Sequence, residues 1–150
     1  MKTAAFASVL ALLGAVSAAP VEPRADASPS AYPDCDPTSA ALYFPESVTV
    51  GEPFAVRFCS GTYFKRSSRS ITLAISAAGT TDLNLAVILT DELASADNKQ
   101  YDFEATVPRT MFTFPEETYL MVVEKTNDYY VKSSYEIHNA QVKVVTPPSS

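Results

Sequence analysis

Residues 53–59 read Pro53-Phe54-Ala55-Val56-Arg57-Phe58-Cys59. Successive side chains of an extended chain point to opposite sides, so Phe54, Val56 and Phe58 share one face while Ala55, Arg57 and Cys59 share the other. The aromatic face is the one to bury. The same period of two recurs downstream, at Ile71, Leu73 and Ile75, at Tyr101, Phe103 and Ala105, and at Val142 and Val144. Turn chemistry between these runs predicts strands over 41–50, 53–59, 70–76, 83–90, 100–107, 117–125 and 137–146. Each strand can cover only one side of a core, so two sheets must face each other. The expected fold is all-β, an immunoglobulin-like β-sandwich of about seven strands.

Three stretches leave alternatives open. Leu83 to Leu89 is apolar on both faces apart from Asn84, which suits a central strand, a strand covered by a loop, or a helix. Asp91 to Asp97 suits a single helical turn. Tyr119 stands where such sandwiches often carry a corner tyrosine, and equally suits an ordinary strand position.

Outside the strands the chain changes character. Met1-Lys2, the apolar run Ala4 to Val16 and the small residues Ser17-Ala18-Ala19 form the three parts of a secretory signal peptide, with cleavage expected after Ala18. Residues 19–39 are a Pro-rich arm with five prolines from Pro20 to Pro37, residues 40–146 are the sandwich domain, and residues 147–150 are an expected disordered tail. Val145 to Ser150 offers no hydrophobic tail for a lipid anchor. The expectation is therefore an extracellular, monomeric protein without a membrane anchor. Removing residues 1–18 deletes one Lys and no acid, taking the formal charge from −6 to −7. Such a chain repels phosphate backbones, and nucleic acid is not an expected partner. Two cysteines in a secreted chain predict a Cys35–Cys59 disulfide fastening the arm to the second strand.

The sequence offers little catalytic chemistry. The sole histidine, His138, has no nucleophile elbow to serve, and a lone histidine is more often a surface or hydrogen-bonded residue than a general base. The adjacent pairs Asp91-Glu92 and Glu116-Glu117 point to opposite faces of a strand and do not converge as glycosidase acids must. No phosphate-cradling glycine loop occurs, and two Cys with one His do not make a four-ligand zinc site. The expectation is no enzyme, no cofactor and no metal.

One constellation stands out. Tyr63-Phe64-Lys65-Arg66-Ser67-Ser68-Arg69 lies between the second and third predicted strands, and Asn127-Asp128-Tyr129-Tyr130-Val131-Lys132 between the sixth and seventh. In an immunoglobulin-like sandwich these connections emerge at the same end, where variable domains place binding loops. Tyr63, Phe64, Arg66, Tyr129 and Tyr130 are the expected partner-binding residues, since exposed aromatics and arginine make interface hot spots. The alternative is that the tyrosines cap the open end of the core and the basic residues keep the loop soluble.

The run Pro45, Val48, Gly51, Phe54, Val56, Phe58, written Pro-x-x-Val-x-x-Gly-x-x-Phe-x-Val-x-Phe, resembles the opening of the fungal necrosis-inducing secreted protein family. Tyr101 to Pro108 and Asn139 to Val144 resemble that family's later strands, so the likeness spans about residues 42–145. The resemblance implies a secreted fungal effector that binds a host plant protein, with receptor-associated immune kinases as the partner class and suppressed immunity or cell death as the outcome. It carries over no catalytic residue. A cell-wall or carbohydrate-binding module and an inhibitor of extracellular enzymes are the competing functions, and the absence of Trp weighs against the first.

Overall fold

Period-two alternation builds eight strands among the residues that the computed structural model describes, which are 29–61, 66–76, 86–94, 99–109, 114–130 and 132–148. The strands are β1 (Ala41–Tyr43), β2 (Ser47–Thr49), β3 (Pro53–Cys59), β4 (Arg66–Ser76), β5 (Ala86–Ala94), β6 (Gln100–Thr106), β7 (Glu117–Asp128) and β8 (Ser134–Val145). They form a three-stranded sheet ordered β1-β3-β6 and a five-stranded sheet ordered β2-β8-β7-β4-β5. This is an immunoglobulin-like sandwich, with its first edge shared between the sheets. The expected signal peptide lies outside the described residues.

The first expected strand, 41–50, is in fact two. Leu42 pairs with Phe58 in antiparallel register, whereas Val48 pairs with Val144 in parallel register in the opposite sheet. Pro45 has no N–H to give to a ladder, and the chain changes sheets there. Gly51 then turns the chain into β3 with φ of 86°, a conformation that side chains with a Cβ rarely adopt.

The inward rows follow the sequence pattern. Phe58, Leu73, Ile75, Leu120 and Val122 are fully enclosed, with Tyr101, Val142 and Val144 beside them. Tyr119 takes the outward register between the buried Thr118 and Leu120, as an ordinary strand residue does.

The outward face of β3 is also covered, which the pattern did not foretell. Residues Pro29 to Ser39 lie across it. Arg57, 6% exposed, sends Nε and Nη2 to the two oxygens of Asp102 on β6, at 2.7 and 3.1 Å, and Nη1 to the carbonyls of Tyr32 and Pro33, at 2.9 and 3.0 Å. The hydrogen bond to Asp102 raises the guanidinium pKa further. Tyr32 donates its hydroxyl to the Ala55 carbonyl at 3.0 Å and stacks on Tyr43. Cys35 and Cys59 form the expected disulfide, with Cα atoms 5.4 Å apart. This part of the arm stays outside the core between the sheets and covers the outward face of β3.

The second sheet departs from the expected boundaries. β4 and β7 remain paired out to Arg66↔Asp128, so residues 66–69 and 127–128 are strand rather than loop. β5 is an edge strand, not a central one, and Ile88 on it is 59% exposed. Residues 91–94 continue β5 instead of making a helical turn. A bulge sits there, with Glu92 at φ of 45°, and the Thr72 hydroxyl pins it by donating to Asp91 at 2.8 Å while accepting from the Glu92 N–H at 3.3 Å.

Candidate functional site

The end of the sandwich reached by the β3–β4 and β7–β8 connections carries both an outer groove and an inner polar cluster. A bulge in β4 separates them. Ser68 pairs with Thr126, but Ser70 pairs with Lys125, so one extra residue, Arg69, stands between. The bulge restores Ile71 to the core face after Ser68, so that Arg66 lies on the inner side with Ser68 and Thr126 while Arg69 lies on the outer side.

On the outer side, Arg69, Ser70, Glu92, Lys125, Asn127, Lys132 and Ser133 line a shallow groove of about 450 Å³. The Asn127 amide accepts from Arg69 Nε at 2.7 Å and donates to the Lys132 carbonyl at 2.8 Å, linking β4, β7 and the following turn. Three cations against one carboxylate make this a positive patch on a chain of net charge −6. Tyr129 and Tyr130 stand on the same turn, each 78% exposed, with ring centroids 5.2 Å apart and planes at 83°.

Arg66 belongs to the inner side. Its Nη2 makes an ion pair with Glu136 Oε1 and donates to Thr126 Oγ1 at 3.2 Å. Thr126 in turn shares a 2.7 Å hydrogen bond with Ser134. Of the expected partner-binding residues, then, Tyr129 and Tyr130 lie together on the surface, Arg66 is engaged within the fold, and Tyr63 and Phe64 lie outside the described residues.

Deeper still, Glu124 is 2% exposed. Its Oε1 accepts from Ser60 at 2.5 Å, and its Oε2 lies 3.2 Å from His138 Nε2. Burial pushes this carboxyl up, but hydrogen bonds from His138, Ser60 and Ser68 outweigh burial and hold it below the ordinary glutamate range. Ser68 also meets the Tyr101 hydroxyl at 2.6 Å, and the Phe58 ring packs 5.1 Å from the imidazole.

No family model matches the chain, and no curated protein does. Among solved structures, murine CRIg is similar over 73% of this chain and 99% of its own, at 7% identity and a TM-score of 0.40. A cohesin module from a Clostridium perfringens family 33 glycoside hydrolase is similar over 72% of this chain and 96% of its own, at 10% identity and a TM-score of 0.39.

Sequence reasoning passed over Glu124, Glu136 and His138 as a group. A signal was present: stepping back by twos from Val144 and Val142 through Ala140 reaches His138 and Glu136, and stepping on by twos from Leu120 and Val122 reaches Glu124. The apolar rows simply continue as polar rows on the same faces. Antiparallel register then sets Glu124 opposite Glu136.

Proposed function

We propose that this chain is a secreted, non-enzymatic effector that binds a host plant protein through the end of the sandwich bearing Tyr129 and Tyr130. One observation supports the reading above others: two exposed tyrosines share a turn with Lys132, beside a groove completed by Arg69 and Lys125. Aromatic area next to positive charge is the composition of interface hot spots. An acidic molecule that gathers cations in one place complements an acidic segment on its partner. The rings stand edge to face and do not form the flat strip on which a sugar ring stacks, which favours a protein partner over a glycan.

The leader-like residues 1–18 support secretion, and the Cys35–Cys59 bridge suits the oxidising compartments through which secreted chains pass. The resemblance of residues 42–145 supports the fungal origin and receptor-associated immune kinases as the partner class.

The test is a Tyr129→Ala/Tyr130→Ala double variant, assayed for binding to purified kinase domains of that class and for thermal stability on the same preparation. Retention on insoluble chitin and glucan is measured alongside. The expected outcome is a loss of about 2 kcal/mol or more in binding with melting temperature little changed. A variant whose melting temperature falls and whose binding, when folded, is intact would mean that the tyrosines cap the sandwich. Retention by chitin or glucan would favour the carbohydrate module instead.

A further inference from the structure

Beneath the groove, two carboxylates converge on the imidazole of the chain's single histidine. His138 Nε2 lies 3.2 Å from Glu124 Oε2 and 3.9 Å from Glu136 Oε2, and the three ligand-type atoms all fall within 4.8 Å of one another. A tetrahedral zinc ion with bonds of about 2.0 Å has edges of about 3.3 Å between its ligand atoms. One edge is already near that length, and Glu136, with its side chain 42% exposed, has room to close the others.

We infer that Glu124, Glu136 and His138 form a binding site for one divalent transition-metal ion of the zinc type, with water completing the fourth position. The oxygens not aimed at the imidazole are held by other groups. Glu124 Oε1 accepts from Ser60, and Glu136 Oε1 pairs with Arg66. Outer partners that fix ligand orientation in this way are a regular part of metal sites. Charge points the same way: two carboxylates face the imidazole, and one guanidinium pairs with one of them. A single proton on Nε2 can be given to only one of the two facing oxygens at a time, whereas a divalent cation engages both together with the nitrogen lone pair.

The donor set of one imidazole and two carboxylates suits zinc and its neighbours better than calcium, which takes six to eight oxygens. Entry is open from the Glu136 side, while Glu124 and the Phe58 ring close the floor. Because the ligands come from β7 and β8, the ion would clasp the two strands below the turn that carries Tyr129 and Tyr130. The site rests on its own geometry and not on the partner-binding reading.

The experiment titrates zinc sulfate into the intact protein, followed by calorimetry and by the ring resonances of His138. With one histidine in the chain, those resonances need no assignment. The expected result is one ion per chain, with His138 signals shifting in step with the added zinc. His138→Gln should abolish binding, and Glu136→Gln should weaken it at least about tenfold while leaving the metal-free melting temperature close to wild type. Both altered ligands are partly exposed, so these variants serve even if Glu124→Gln fails to fold. Ring resonances that do not move under excess zinc, or wild-type affinity in both variants, would overturn the site.

Discussion

At Arg57 one guanidinium makes hydrogen bonds to two distant parts of the chain, the Asp102 carboxylate on β6 and the carbonyls of Tyr32 and Pro33 in the arm. Arginine suits this position because its planar fork meets both carboxylate oxygens at once. Replacing it by Met removes the guanidinium from two carbonyls and from Asp102, which keeps the 2.6 Å hydrogen bond donated by Gln100 Nε2. A fully buried pair broken on one side would cost about 3 kcal/mol or more, but Asp102 has a side chain 34% exposed and water partly replaces the lost donor, so a loss of about 2 kcal/mol is expected. Urea unfolding of Arg57→Met measures it, and Arg57→Lys should recover less than half. Gly61 makes a second test. A Cβ there would come within 2.8 Å of the Ala40 N and 3.1 Å of the Ser39 carbonyl carbon, both backbone atoms that cannot swing aside. Gly61→Ala should therefore destabilise by about 1–3 kcal/mol, read as a lowered melting temperature. A neutral result would mean that the arm shifts freely.

Among the elements, β3, β6 and the inner half of β8 were legible because one face is strictly apolar and alternation alone fixes which side is buried. What was not legible depended on partners distant in sequence. The sheet change at Pro45 needs β8 beside β2, and the bulge at Arg69 shows only against β7. That bulge sets Arg69 on the groove side and Arg66 on the inner side, whereas the sequence, read as one loop from Tyr63 to Arg69, singled out Arg66. The arm's docking was half legible. Cysteine counting gave the bridge, while the burial of Arg57 beneath Tyr32 and Pro33 had no periodic signature. Closing a loop with 24 residues of separation is worth about 3 kcal/mol in the chain-entropy model. Reducing the bridge should lower the unfolding free energy by roughly that amount and speed amide exchange in residues 29–39, while Arg57 keeps the arm largely docked. Exchange in the arm as fast as in an unfolded chain would show that the bridge alone holds it.

For the molecule as a whole, the consequence of this topology is seen at the dibasic pair Lys65-Arg66, a sequence that secretory-pathway proteases cut. The arm and β1 to β3 precede the pair, Arg66 opens β4, the rest of β4 and β5 to β8 follow, and the disulfide closes entirely on the N-terminal side. A cut after Arg66 would therefore leave two pieces with no covalent link. A protease of this kind needs an extended segment in its cleft and the arginine side chain in its pocket. Here Arg66 and Ser67 are already paired with Asp128 and Asn127 in the sheet, and the Arg66 side chain is held by Glu136 and Thr126. Cleavage requires pulling the first residues of β4 out of the ladder, which opens the end of the sandwich and exposes Glu124 and Ser68. The folded protein is thus expected to run as one band on a non-reducing gel after exposure to a paired-basic protease, and to be cut in proportion to the unfolded fraction as urea is added. Glu136→Gln, which removes the ion-pair partner of Arg66, should speed the native cleavage more than it lowers global stability. Two fragments from the native wild-type protein at the rate seen for the unfolded chain would show that this end of β4 is not held as its pairing implies.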